Sequence, residues 1–325
     1  MSRRPSLIAA GIATAGVAAA GVAAKSAADR RRLEQVVRKD QKIPFGSLHA
    51  PPLRIIATDG VDLYAEIDEA DEPGGPTIIF AHGWVLNLDS WHYQRAALRG
   101  KVRMVFYDHR SHGRSDRSPA SSANLPQLAE DLKTIIETTT PKGPIILVGH
   151  SMGGMTIMKL ADMYPKLFSS RVQGVVLAST AGGKIISRGS AIGRVAPVFR
   201  GLSFLVDTGR SINNYRLTRQ FAVGPEADEK YAVMTYDMIG KTKTNAFVDF
   251  YPLFLKLDLS KGLPNLGKTA TYIVAGTHDQ LTPLRHSESL NSQIPDSKLV
   301  TLDRAGHMTP LERHKELTKV IEKLL

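Results

Sequence analysis

Three short runs in this chain, Thr77-Ile78-Ile79-Phe80-Ala81, Ile145-Ile146-Leu147-Val148-Gly149 and Val175-Val176-Leu177-Ala178-Ser179, are apolar almost throughout. A strand with one wet face alternates polar and apolar residues, so unbroken runs of this length belong to central strands covered on both faces. The third run lies inside a longer strand candidate at 172–178, and further candidates at 53–57, 61–67, 102–108, 271–275 and 299–302 bring the set to eight. Helical patterns fall between them at 90–98, 125–138, 152–164 and 310–325. This alternation predicts an α/β fold with a mostly parallel eight-stranded sheet flanked by helices. The last helix has Thr309 as its expected N-cap, with Pro310 at the first position and Glu312 at the third.

The alternation breaks at 182–262, where the chain reads as helical or irregular and carries twelve Lys and Arg against seven Asp and Glu. So long a stretch between two strands exceeds a simple crossover, and it is expected to be an inserted helical lid. The core is then expected at 43–181 and 263–325, with residues 1–42 as an apolar helix and basic linker. Arg194, Arg200, Arg210, Arg216 and Arg219 fall in the insertion; a solvated face is their plainest meaning, and an acidic-substrate funnel or a lipid-facing surface are the alternatives.

The chemistry centres on Gly149-His150-Ser151-Met152-Gly153-Gly154, a G-x-S-x-G match that directly follows an apolar strand candidate and opens a helical run. A strand-to-helix turn this sharp strains the serine backbone, needs glycines where side chains would collide, and exposes the hydroxyl at a helix N-terminus. A phosphate-binding reading is poor, because no Gly-Lys-Ser/Thr follows. Two sparse histidines, His109 and His112, do not make a metal site, and there is no H-E-x-x-H. The complete absence of cysteine excludes disulfides, thiolate metal sites and a cysteine nucleophile. No cofactor and no metal is therefore expected.

With these motifs the chain resembles the α/β-hydrolase family, in its cap-bearing branch of serine esterases and lipases, over roughly residues 51–325. His82-Gly83-Trp84 stands after the third strand candidate, and Asp108-His109-Arg110-Ser111-His112-Gly113-Arg114-Ser115 after the fourth, with Ser111 where the family more often has glycine. The stretch from His82 through Trp91 to Ser115 is similar to a set of actinobacterial hydrolases of largely undefined substrate. The family order is nucleophile, acid, base. By that order the resemblance implies Ser151 as nucleophile, Asp279 in Gly276-Thr277-His278-Asp279 as acid, and His307 in Asp303-Arg304-Ala305-Gly306-His307 as base. The strand candidate before the insertion ends without a carboxylate, which leaves the alternative acid position empty, and His278 is the main rival for the base. The backbone N–H groups of Trp84 and Met152 are implied as the oxyanion hole. Serine rather than aspartate at 151 argues against the family's dehalogenase and epoxide hydrolase branches. The implied activity is hydrolysis of a small-molecule or lipid carboxylic ester through an acyl-enzyme. Amide hydrolysis or perhydrolysis on the same triad, and a non-catalytic ligand-binding use of the fold, are the alternatives.

Charge and hydropathy bear on the surroundings. The chain carries 42 Lys and Arg against 31 Asp and Glu, and the first 42 residues alone hold nine positive and three negative side chains. A nucleic-acid surface would interleave that charge with aromatics, yet aromatics are only 6% of the chain and none precedes Phe45, so no nucleic-acid partner is expected. Residues 7–24 are apolar or small apart from Thr14, enough for a helix of about 27 Å, near the lower limit for spanning a bilayer. Membrane association through this segment is the expectation, and if it spans, the basic residues after it place the body in the cytoplasm. A cleaved export signal and a helix lying on the protein surface are the alternatives.

Overall fold

The structure is a computed structural model that describes residues 42–185 and 215–325. The apolar segment at 7–24 and Arg194, Arg200 and Arg210 lie outside the described residues. Among the described residues, no helix is long and apolar enough to cross a membrane.

Eight strands form one sheet: β1 (Pro52–Ile56), β2 (Asp62–Asp68), β3 (Thr77–Ala81), β4 (Met104–Tyr107), β5 (Ile145–His150), β6 (Val172–Ala178), β7 (Ala270–Gly276) and β8 (Lys298–Leu302). Their spatial order is β1-β2-β4-β3-β5-β6-β7-β8. The pairs β1–β2 and β2–β4 are antiparallel, and every pair from β4 to β8 is parallel. The apolar runs take the centre because each of their faces meets helices. Ile79, Ala81, Ile145 and Leu147 pack into one buried cluster, while Ile78, Phe80, Ile146 and Val148 pack into a second on the opposite face. This is period-two side-chain geometry with both faces dry.

The flanking helices are α1 (His92–Leu98), α2 (Leu125–Thr139), α3 (Met152–Met163) and α4 (Pro165–Ser170), followed after the insertion by α8 (Leu263–Leu266), α9 (Leu284–Gln293), α10 (Thr309–Glu312) and α11 (His314–Glu322). α2 starts where the Asn124 side chain accepts from the Gln127 N–H, with proline in the first turn, and it buries Leu125, Leu128, Ala129, Leu132, Ile135 and Ile136. Each such leucine or isoleucine stabilises the fold by about 1.5–3 kcal/mol.

The described part of the insertion carries α5 (Tyr215–Phe221), α6 (Glu229–Lys241) and α7 (Thr244–Leu255). Its two ends are clasped by a Gly183–Asp258 bridge and by a Leu259 N–H to Gly182 O bond of 2.9 Å. The chain thus leaves the sheet after β6 and returns beside its point of departure. Ala222, Val223, Ala232, Met234 and Met238 of this excursion pack on Leu86, Met308 and Leu311 of the core.

The single helix expected over 310–325 is two helices that break at Arg313. Thr309 is not its cap: the preceding Met308 holds that position without a side-chain bond, and the Thr309 hydroxyl lies 3.0 Å from that of Ser179. A buried tertiary partner has outcompeted the local cap.

Candidate active site

Ser151 sits between β5 and α3 with φ 52° and ψ −117°, a backbone conformation that L-residues rarely adopt. Two glycines make the turn possible. A Cβ on Gly153 would lie 2.0 Å from the Ala81 carbonyl oxygen, and one on Gly149 would lie 2.6 Å from the Gly154 nitrogen. The strained peptide is pinned on both sides: the Ser151 N–H donates to Ala178 O at 3.0 Å, and the Thr180 hydroxyl donates to Ser151 O at 2.7 Å. The Ser151 turn is therefore bound to the end of β6 as well as to its own strand.

Asp279 lies in the loop after β7. Its Oδ1 accepts the N–H groups of Leu281 and Thr282, both at 2.8 Å, while Oδ2 accepts the Thr282 hydroxyl at 2.8 Å and meets His307 Nδ1 at 2.8 Å. Burial pushes the Asp279 carboxyl up, but the imidazole of His307 and the donors of Thr282 outweigh it, and the carboxyl is held below its ordinary range. His307 follows β8 and is almost wholly buried. Its carbonyl accepts a 2.9 Å bond from His150 Nε2, so the residue before Ser151 anchors the backbone of His307. Burial pushes His150 down to about 3, which keeps it neutral.

The structure thus joins Asp279 to His307 directly and ties His307 to the Ser151 turn through His150. Among the described residues the Ser151 hydroxyl is hydrogen-bonded to neither; such contacts are often loose in free enzymes and tighten on the substrate. His278 lies apart from the pair. Its Nδ1 is 3.1 Å from the Thr277 hydroxyl, and it lines an outer cavity of about 380 Å³ together with Arg216 and Arg219.

Above the Ser151 turn runs the His82-Gly83-Trp84 loop. No acceptor among the described residues takes the N–H of Trp84 or that of Met152. Met152 opens α3, where an N–H has no intrahelical acceptor, so both main-chain donors can receive a ligand oxygen. The loop is held from behind: His82 Nδ1–H donates to Gly83 O at 2.7 Å, and His82 Nε2 accepts the His109 N–H at 3.0 Å. The Trp84 ring packs at a tilt against Phe247 and Phe254 of α7, with centroids 4.3 and 4.9 Å away. Asp108 serves as scaffold, taking the N–H groups of Leu88 and Arg114 at 2.8 Å each.

Sequence reasoning passed over Thr282 and Thr180. Thr282 had a readable signal, because an acid followed three residues later by threonine is the spacing of a side chain that closes a turn on its own backbone. Thr180 had none, since its partner is a carbonyl 29 residues away.

Residues 76–314 match the family model of the alpha/beta hydrolase fold. The chain belongs to the α/β-hydrolase fold family. Among its relatives, this hydrolase is 28% identical over 280 residues to an uncharacterized hydrolase, YugF, of Bacillus subtilis, covering 83% of this chain and 96% of that one. It is 26% identical over 270 residues to 3-oxoadipate enol-lactonase 2 of Acinetobacter baylyi, covering 81% and 92%. A thermophilic esterase from Thermogutta terrifontis has the same fold, with a TM-score of 0.68 at 23% identity over 84% of this chain and 97% of that one.

Proposed function

We propose that this α/β hydrolase cleaves carboxylic esters through an acyl-enzyme on Ser151. The single observation that carries the reading is the buried Asp279–His307 hydrogen bond of 2.8 Å, mounted in loops tied to the strained Ser151 turn. Asp279 holds the proton of His307 on Nδ1, which leaves Nε2 free to act as base. The Ser151 oxygen attacks the ester carbonyl and gives its proton to Nε2. The resulting oxyanion takes the N–H groups of Trp84 and Met152, each such donor being worth about 2.7–4 kcal/mol. Collapse breaks the C–O bond, and the leaving alkoxide takes the proton from His307. Water, deprotonated by the same histidine, then releases the acid and restores Ser151.

The aromatic wall of Trp84, Phe247 and Phe254 beside the oxyanion donors supports an apolar acyl or alkoxy group. A lactone is a cyclic ester and passes through the same steps, and the enol-lactonase relative supports including that class. The test is a panel of short- and long-chain aryl esters and lactones, run with the wild type and Ser151→Ala. Turnover that falls about 10⁶-fold in the variant is expected. No turnover of any ester by the wild type, or equal turnover by both, overturns the proposal and favours a ligand-binding use of the fold.

A further inference from the structure

The loop that carries His307 is bonded to residues 222–224 of the insertion. Ala222 O accepts the N–H groups of both His307 and Met308, each at 2.9 Å. Gly224 and Gly306 lie face to face: a Cβ on Gly306 would be 2.4 Å from the Gly224 nitrogen, and one on Gly224 would be 2.1 Å from Arg304 O. Into this junction α10 projects Glu312, whose Oε2 accepts the Gly224 N–H and whose Oε1 accepts the Gly306 N–H, both at 2.9 Å. One carboxylate therefore bridges the residue preceding His307 and a residue of the insertion. The arm is stiffened on its far side by Arg219, which donates to Gly224 O at 2.8 Å and to Pro225 O at 3.0 Å.

We propose that Glu312 is a positioning residue for His307, fixing the catalytic base by clamping its loop to residues 222–224 of the insertion. The proposal rests on the reading of Ser151, Asp279 and His307 as a hydrolytic triad. His307 must reach Asp279 on one side and Ser151 on the other. Its backbone is steered by His150 at the carbonyl, by Ala222 at the N–H, and by Glu312 through Gly306. Two of these three holds come from outside the strands that bear the triad. The insertion is then part of the mount of the base and not merely a cover.

The test uses the full chain with Glu312→Gln and Glu312→Ala, assayed on an aryl ester and titrated with a fluorophosphonate to count active sites. Burial pushes the Glu312 carboxyl up against the pull of the two N–H groups, so wild type and variants are compared across the same range of pH. Glutamine keeps the size of the side chain but turns an NH2 group toward one of the two N–H donors. The expected result is a kcat per titrated site lowered about 10- to 100-fold in both variants, the scale on which misplacing a reacting group by about 1 Å acts. KM stays within about twofold, and fluorophosphonate labelling slows in proportion to kcat. A purely structural role would lower the fraction of titratable sites and leave kcat per site unchanged, and that outcome in Glu312→Gln overturns the proposal. A wild type that does not label at all overturns the triad reading first, and the positioning role with it.

Discussion

Replacing Asp279 by asparagine changes one atom, and the geometry determines which one. The two backbone donors of Leu281 and Thr282 converge on Oδ1 at 2.8 Å. An asparagine that turned its NH2 group toward them would face two N–H donors and leave both unpaired, at about 1–3 kcal/mol each. Its carbonyl oxygen therefore stays on that side, and the NH2 group takes the place of Oδ2, 2.8 Å from His307 Nδ1. An NH2 group donates, so His307 has to present a bare Nδ1 and carry its proton on Nε2. In that tautomer the imidazole cannot accept the Ser151 proton. The expected loss in kcat is about 10⁴-fold, equivalent to about 5.4 kcal/mol of transition-state stabilisation. The assay is steady-state hydrolysis of an aryl ester by the wild type and Asp279→Asn, with circular dichroism to confirm equal folding. A variant that keeps more than a tenth of the wild-type kcat refutes the tautomer reasoning and the role of Asp279.

Other consequences follow from buried charge. Arg110 is buried and grips Asp131 with Nε and Nη2 at 2.6 Å each, and Asp59 with Nη1 at 2.6 Å. Arg110→Ala strands the buried Asp131 and should cost about 3–5 kcal/mol in urea unfolding; a change below about 1 kcal/mol would contradict this. Burial pushes His109 to about 3, His112 to about 4 and His150 to about 3. Each takes a proton near pH 6.5 once unfolded. The stability gained by keeping them neutral is present above that pH and drains away as pH falls toward about 3. Asp108, pushed by burial up to about 7, acts in the opposite direction, because its neutral form is favoured in the fold and its contribution is lost as pH rises from about 4 to 7. Among the described residues seven histidines are shifted down against three carboxyls shifted up. The urea midpoint should therefore be lower at pH 5 than at pH 7.5, and a midpoint that rises on acidification would show that these imidazoles are not held neutral.

How much of this was legible in the sequence depends on where each residue finds its partner. All eight strands were readable, because sheet burial writes itself as local runs such as Thr77–Ala81 and Ile145–His150. The Ser151 turn was readable from its G-x-S-x-G pattern, although only Gly149 is dictated by atoms a few residues away, while Gly153 is dictated by Ala81 and His82 at the end of the neighbouring strand. α9 was not readable, since only Ser287 and Leu290 of its ten residues are buried and no apolar stripe forms. The diversion of Thr309 to Ser179 depends on a partner 130 residues distant. Glu312 shows the limit most clearly. Its place three residues into a helix suggested a local cap, while its carboxylate spans Gly306 and Gly224, and the second is 88 residues away. The insertion itself could be recognised only as a break in pattern: Ala222, Val223 and α6 bury against core loops, while Phe250 and Phe254 of α7 join the buried cluster that also holds sheet residues.

The most direct measurement is covalent. The wild-type protein is treated with a fluorophosphonate, digested, and the adduct located by tandem mass spectrometry. One phosphonylated side chain, Ser151, is expected, with labelling abolished in Ser151→Ala and strongly slowed in His307→Ala. Labelling at another residue, or none on a folded wild type, would contradict an activated serine at this turn.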